Sequence, residues 1–184
     1  MTQIAFIGGG NMATSIIGGL VQQGDISAAS IDVADPGAEQ REKLHASFGV
    51  NTFENNLDAI TNADVVIMAV KPQVMKDVMA PLKSTLEARQ PLLISIAAGI
   101  SMDALGRWSG CKAIVRCMPN TPALLGEGAT GLFASEDVHL DQRNTADSLL
   151  RAAGITVWVK EEAELDAVIA VSGSGPAYYF LMME

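Results

Sequence analysis

The stretch Ile4–Leu20, IAFIGGGNMATSIIGGL, constrains the fold of this chain more than any other. Ile4–Ile7 reads as a buried strand, and Gly8, Gly10 and Ala13 follow it at the spacing Gly-x-Gly-x-x-Ala. From Asn11 to Gln23 the apolar residues Met12, Ile16, Ile17 and Leu20 recur at helical period, and Gly24 with Asp25 ends the segment. Gly-x-Gly alone is weak in a chain with 17 glycines, but between a strand and a helix it is good evidence of a phosphate cradle. Gly8 makes the tight turn, Gly10 lets a pyrophosphate approach the backbone, and Ala13 lets the helix pack closely on the strand. Phosphates are then expected over the helix N-terminus, against the N–H groups near Gly10, Asn11 and Met12.

A dinucleotide fold presents an acidic group to the adenine ribose about twenty residues further on, or a cation where the ribose carries a phosphate. Asp32 lies inside the second strand, Ile31–Ala34, so Asp35 at its end is the better candidate. Its charge favours a free 2'-hydroxyl and repels a 2'-phosphate, which leans the site toward tolerance of NADH. Arg41 is the nearest cation, but it is expected well inside a helix opened by Pro36.

Further strands are expected at Val50–Phe53, in ADVVIMAVKP around Val65–Val70, at Leu92–Ala97 and at Ala113–Met118, with a short helical turn at Leu57–Thr61. The nearly all-apolar runs suit strands buried on both faces of a parallel sheet. After Pro122 the alternation loosens into a strand at Thr130–Ala134, a helix at Asp141–Ala153, a strand at Ile155–Val159 and a helix at Glu162–Val171. The fold class is α/β, a doubly wound, mainly parallel, Rossmann-like sheet followed by the start of an all-helical domain. The boundary falls near Lys160, dividing residues 1–160 from 161–184.

The net charge of −9 argues against a nucleic-acid partner, so any bound phosphate must be held locally. With only two cysteines and two histidines, neither a disulfide framework nor a metal cluster is expected. The apolar runs are too short for a membrane span and no leader precedes Ile4, which reads as a cytoplasmic protein.

The segments FIGGGNMA, AVKPQ, SIAAGI, RCMPNTP and DAVIAVSGSGPAY, in this order, resemble the pyrroline-5-carboxylate reductase family. The resemblance runs from Phe6 to the last residues. It implies reduction of Δ1-pyrroline-5-carboxylate to L-proline, with NADPH or NADH as cofactor. It also implies that Ala69, Val70, Lys71 and Pro72 border the dinucleotide and that Asn56 contacts its adenosine side. Ile96, Ala97 and Ala98 match the turn near the nicotinamide, and RCMPNTP helps to wall that pocket. Members often use NADPH and commonly carry a small or amide side chain where this chain has Asp35.

Imine reduction needs a hydride donor close to the imine carbon, a proton on nitrogen and an anchor for the substrate carboxylate. By resemblance Glu162 contacts the nitrogen side, where a carboxylate favours the protonated, more electrophilic imine. Taken alone, Glu162 is equally an ordinary acidic residue in a helix's first turn. SGSGP, Ser172–Pro176, matches the joint into a helical domain that forms the family's dimer. The family's carboxylate-binding Gly-Gly-Thr-Thr-like segment is expected beyond residue 184, so no proton donor is named. The ending PAYYFLMME reads as a cut helix whose apolar Ala177–Met183 would promote association into homo-oligomers. Two alternatives stand beside the imine reductase: a beta-hydroxyacid dehydrogenase-like oxidoreductase, and a non-catalytic dinucleotide-binding module.

Overall fold

A computed structural model describes residues 2–24 and 26–184; Asp25, expected to help end the first helix, lies outside them. The strands are β1 (Ile4–Ile7), β2 (Ile31–Ala34), β3 (Asn51–Phe53), β4 (Val65–Met68), β5 (Leu92–Ser95), β6 (Ile114–Met118), β7 (Gly128–Ala134) and β8 (Gly154–Trp158). They form one sheet in the order β3-β2-β1-β4-β5-β6-β7-β8. All neighbours run parallel except β6 and β7, which pair antiparallel. The helices are α1 (Asn11–Gln23), α2 (Ala38–Phe48), α3 (Asn56–Ile60), α4 (Met75–Met79), α5 (Lys83–Arg89), α6 (Met102–Ser109), α7 (Leu140–Arg151), α8 (Glu164–Val168) and α9 (Gly175–Met183).

The apolar strands are buried on both faces because each face carries its own helical layer. Ile4, Phe6, Val65, Ile67 and Ile94 pack with Ile16 and Ile17 of α1, Leu44 of α2 and Leu149 of α7. The alternate residues Ala5, Ile7, Val66, Met68 and Leu93 pack with Ile60, Met75, Met79, Leu86 and Leu105 from α3–α6. Strand alternation therefore feeds two separate cores.

Several element bounds shift by one or two residues from those expected, β4, β5 and β7 among them, and two of the shifts change how the chain is read. Pro36 does not open α2, which begins at Ala38 with Gly37 as its N-cap. The Asp35 side chain takes the Gly37 N–H at 2.8 Å and holds residues 35–37 out of the helix. Likewise, the helix expected over Glu162–Val171 begins two residues later, as α8 at Glu164, and continues without a break as a π turn, Ile169–Gly173, that leads to α9. Pro176 sits in the first turn of α9, as expected, and Tyr178–Met183 are exposed.

The far edge of the sheet is tied to α7 by Asp147. Its Oδ1 accepts from the Thr156 hydroxyl at 2.6 Å and the Trp158 indole at 3.1 Å, and its Oδ2 from Arg151 at 2.6 Å. Arg143 covers the Trp158 ring at 4.0 Å. Desolvation alone would raise the Asp147 pKa, but the bonds from Thr156 and Arg151, the Arg151 charge and the Trp158 bond together hold it below the usual carboxylate range. A depressed folded-state pKa stabilises the fold above the ordinary carboxylate range and loses that contribution as pH falls through it. Asp147→Ala is expected to cost about 1–3 kcal/mol at pH 7 and less at pH 3, measured by urea unfolding at both pH values.

Candidate functional site

The chain leaves β1 for β2 and β3 on one side of the sheet and returns to β4 on the other, so the topological switch lies between β1 and β4. Open α/β sheets bind ligands at the carboxyl ends of the strands flanking such a point. Most of the sequence-predicted residues lie in segments along this edge. Gly8 follows β1 and donates its N–H to Ala34 O at 2.8 Å, while Ala69 N donates to Ile7 O at 2.8 Å. Asp35 N donates to Phe53 O at 3.0 Å and Ile96 N to Met68 O at 3.2 Å. Asp35, Ala69 and Ile96 thus begin the segments that leave β2, β4 and β5.

The turn after β1 has the character of an anion cradle. Gly8 has φ +100°, a conformation reserved for glycine, and a Cβ there would meet Ala69 O at 2.6 Å. Gly10 is the N-cap of α1; its carbonyl accepts the Thr14 N–H at 2.9 Å, but it has no side chain to cap the helix. No acidic residue stands in the first turn of α1. The first-turn N–H groups, Asn11 and Met12 among them, are left for an outside acceptor at the positive end of a thirteen-residue helix. A Cβ built on Gly10 would meet nothing within 4 Å, so the space beside it is open. This cradle fits a pyrophosphate.

Two side chains that follow β2 fix the turn from the other side. Asp35 Oδ2 accepts from Gly9 N at 2.9 Å, and the Gln40 amide donates to Gly9 O and lies 3.4 Å from the Thr14 hydroxyl. Sequence reading missed Gln40. The available signal was its place three residues past the helix N-cap, from which a side chain reaches back over the strand end.

Asn56 is the first residue of α3 and is half-buried, with Asn55 capping that helix through Leu57 N at 3.0 Å. Val70 is half-buried, Lys71 is exposed and Pro72 begins a short 3-10 turn. Ala97 is buried, while Ile96 and Ala98 are half-buried in the segment running to α6. In the loop after β6, Asn120 is 9% exposed and its Oδ1 accepts from Ala129 N at 2.9 Å, which fastens the loop to β7.

Glu162 stands apart from the glycine turn, at the start of α6. One oxygen, Oε1, accepts from Met102 N at 2.6 Å and from the guanidinium of Arg116. Arg116 is a β6 residue with 7% exposure, so its charge is neutralised inside the fold by Glu162. Burial pushes the Cys111 thiol up to about 11, although the Ser109 hydrogen bond opposes it, and it pushes Cys117 higher still against the pull of Arg116. Neither is a thiolate nucleophile at neutral pH. Among the described residues no helix is long and apolar enough to cross a membrane.

A doubly wound sheet with this cradle at its switch point defines the dinucleotide-binding class of oxidoreductase domains. Residues 3–99, from β1 to the turn after β5, match the family described as NADP oxidoreductase, coenzyme F420-dependent. Over 183 residues the chain is 53% identical to the pyrroline-5-carboxylate reductase of Pseudomonas aeruginosa, covering 99% of this chain and 66% of that protein. The solved structure of a pyrroline-5-carboxylate reductase from Coxiella burnetii matches with TM-score 0.94 and 43% identity, over 99% of this chain and 67% of that one. A Plasmodium falciparum pyrroline carboxylate reductase, solved with NADP bound, matches with TM-score 0.85 and 27% identity, over 98% and 66% of the two chains. The chain belongs to the pyrroline-5-carboxylate reductase family. It spans about two thirds of the length of these relatives.

Proposed function

We propose that this chain provides the cofactor-binding part of an enzyme that reduces Δ1-pyrroline-5-carboxylate to L-proline, the last step of proline biosynthesis. The observation that carries this reading is the open, uncapped helix N-terminus at Gly10, set at the switch point in a chain of this family. A nicotinamide dinucleotide, NADPH or NADH, supplies the hydride when bound. Gly8, Gly10, Asn11 and Met12 hold its pyrophosphate, Asp35 and Asn56 flank its adenosine, and Ala69–Pro72 with Ile96–Ala98 line the way to the nicotinamide.

Glu162 is the carboxylate assigned to the nitrogen side of the substrate. Its anchorage by Arg116 and Met102 N fixes it beside the segment that ends at α6. Residues 1–160 act as the dinucleotide-binding unit and residues 161–184 as the start of a helical one. The exposed Tyr178–Met183 face suits pairing of copies into a homo-oligomer. The enzyme acts in the cytoplasm on a small-molecule substrate, and the net charge of −9 argues against a nucleic-acid partner.

The test is oxidation of NADPH and NADH by the longest chain the gene encodes, with Δ1-pyrroline-5-carboxylate as acceptor. Substrate-dependent oxidation with release of proline is expected. Cofactor binding without turnover would replace this reading with that of a binding module.

A further inference from the structure

The end of β2 carries a cation that the sequence reading set aside. Because α2 begins at Ala38, Arg41 lies in its first turn and its side chain folds back onto the strand end. Nη1 donates to Asp35 O at 2.8 Å and to Pro36 O at 2.9 Å, which fixes the guanidinium beside Asp35. Nη2 meets Glu54 Oε2 at 3.3 Å, just past the end of β3. The two sides of this ion pair differ sharply. The Arg41 side chain is 19% exposed and held by backbone carbonyls, whereas that of Glu54 is 79% exposed.

We propose that Glu54 is a specificity-determining residue for the adenosine end of the cofactor, a replaceable counterion that a 2'-phosphate must displace from Arg41 and that a free 2'-hydroxyl leaves in place. This inference rests on the dinucleotide reading of the glycine turn. Asp35 turns its carboxylate to Gly9 N at 2.9 Å and Gly37 N at 2.8 Å, so it stays at the cradle and adds its charge to that of Glu54. One cation therefore lies near two carboxylates but pairs with only one, and a phosphate reaches the guanidinium by taking the place of Glu54. A guanidinium has five N–H donors in a fork suited to phosphate, and three of them are used in these contacts. Of the two carboxylates, only that of Glu54 can leave without breaking a backbone contact of the turn. A long, solvated ion pair of this kind contributes little to the fold, so the protein keeps its structure when the pair opens.

The test titrates NADPH and NADH separately into the wild-type chain, Glu54→Gln, Arg41→Gln and the double variant. Glu54→Gln is expected to tighten NADPH by about three- to fivefold, the worth of an exposed ion pair, and to move NADH by less than about twofold. Arg41→Gln is expected to weaken NADPH by about tenfold, and adding Glu54→Gln to it should change nothing further. An NADPH-to-NADH ratio unmoved by Glu54→Gln, or the same tightening in the absence of Arg41, would overturn the inference while leaving the dinucleotide reading intact. If the wild-type chain bound neither dinucleotide, that reading would fall and the inference with it.

Discussion

Gly8→Ala and Gly10→Ala, two changes of one methyl group two residues apart, are expected to fail in opposite ways. At Gly8 the new Cβ would meet Ala69 O at 2.6 Å and Val70 Cγ1 at 3.0 Å, with φ at +100°. Strain of about 1–3 kcal/mol adds to a clash with backbone that cannot swing aside, so the variant should lose about 3 kcal/mol or more of stability. At Gly10 the backbone is extended, with φ −66° and ψ −174°, and a Cβ meets nothing. Folding should be unaffected to within about 0.5 kcal/mol, yet the methyl group stands in the space a pyrophosphate requires. Dinucleotide affinity should drop about tenfold or more at unchanged melting temperature. Thermal unfolding and cofactor titration of both variants check this. A Gly10→Ala protein that bound NADPH as tightly as wild type would show that the turn merely connects strand to helix.

Removing the Glu162 side chain is the second large effect. Arg116 is nearly buried, so Glu162→Ala leaves a guanidinium without its partner and the first turn of α6 without its acceptor at Met102 N. Breaking a buried pair costs about 3–5 kcal/mol; with Glu162 at 31% side-chain exposure, about 2–4 kcal/mol is expected by denaturant unfolding. Glu162→Gln keeps an acceptor for both donors and should recover more than half of that loss. The two variants also separate a structural role from a substrate role. If Glu162 faces the substrate nitrogen, the well-folded Gln variant still raises the KM for Δ1-pyrroline-5-carboxylate, because the lost charge no longer favours the protonated imine. A Gln variant with unchanged KM would confine Glu162 to holding Arg116 and α6.

The glycine turn was legible because its three determinants are contiguous: the apolar Ile4–Ile7, Gly8 and Gly10, and the periodic α1. The all-apolar strands were legible for the same local reason. Strand direction came from the alternation of strands with helical segments, which implies a mainly parallel sheet and does not single out β7. The antiparallel entry of β7 is explained by the length of its connection in the structure. Residues 119–127 between β6 and β7 are too few for the dozen or so that a parallel crossover requires.

The site was harder where distant side chains complete it. Arg41 reads as remote only if Pro36 starts the helix; the Asp35–Gly37 turn delays α2 by two residues and brings the guanidinium back to the strand end. Gln40 joins the cradle through the same shift. Glu162 was expected against a ligand, and its pairing with Arg116 links residues 46 positions apart, which no local pattern encodes.

The most direct measurement is an amide nuclear magnetic resonance titration of the labelled chain with NADPH. Saturable shifts are expected, largest at Gly8–Ala13 and at the segments opened by Asp35, Ala69 and Ile96, with the amides of α7 and β8 unmoved. Saturable shifts centred anywhere other than the β1–α1 turn, or none at all, would contradict the assignment of the opening glycines as a dinucleotide cradle.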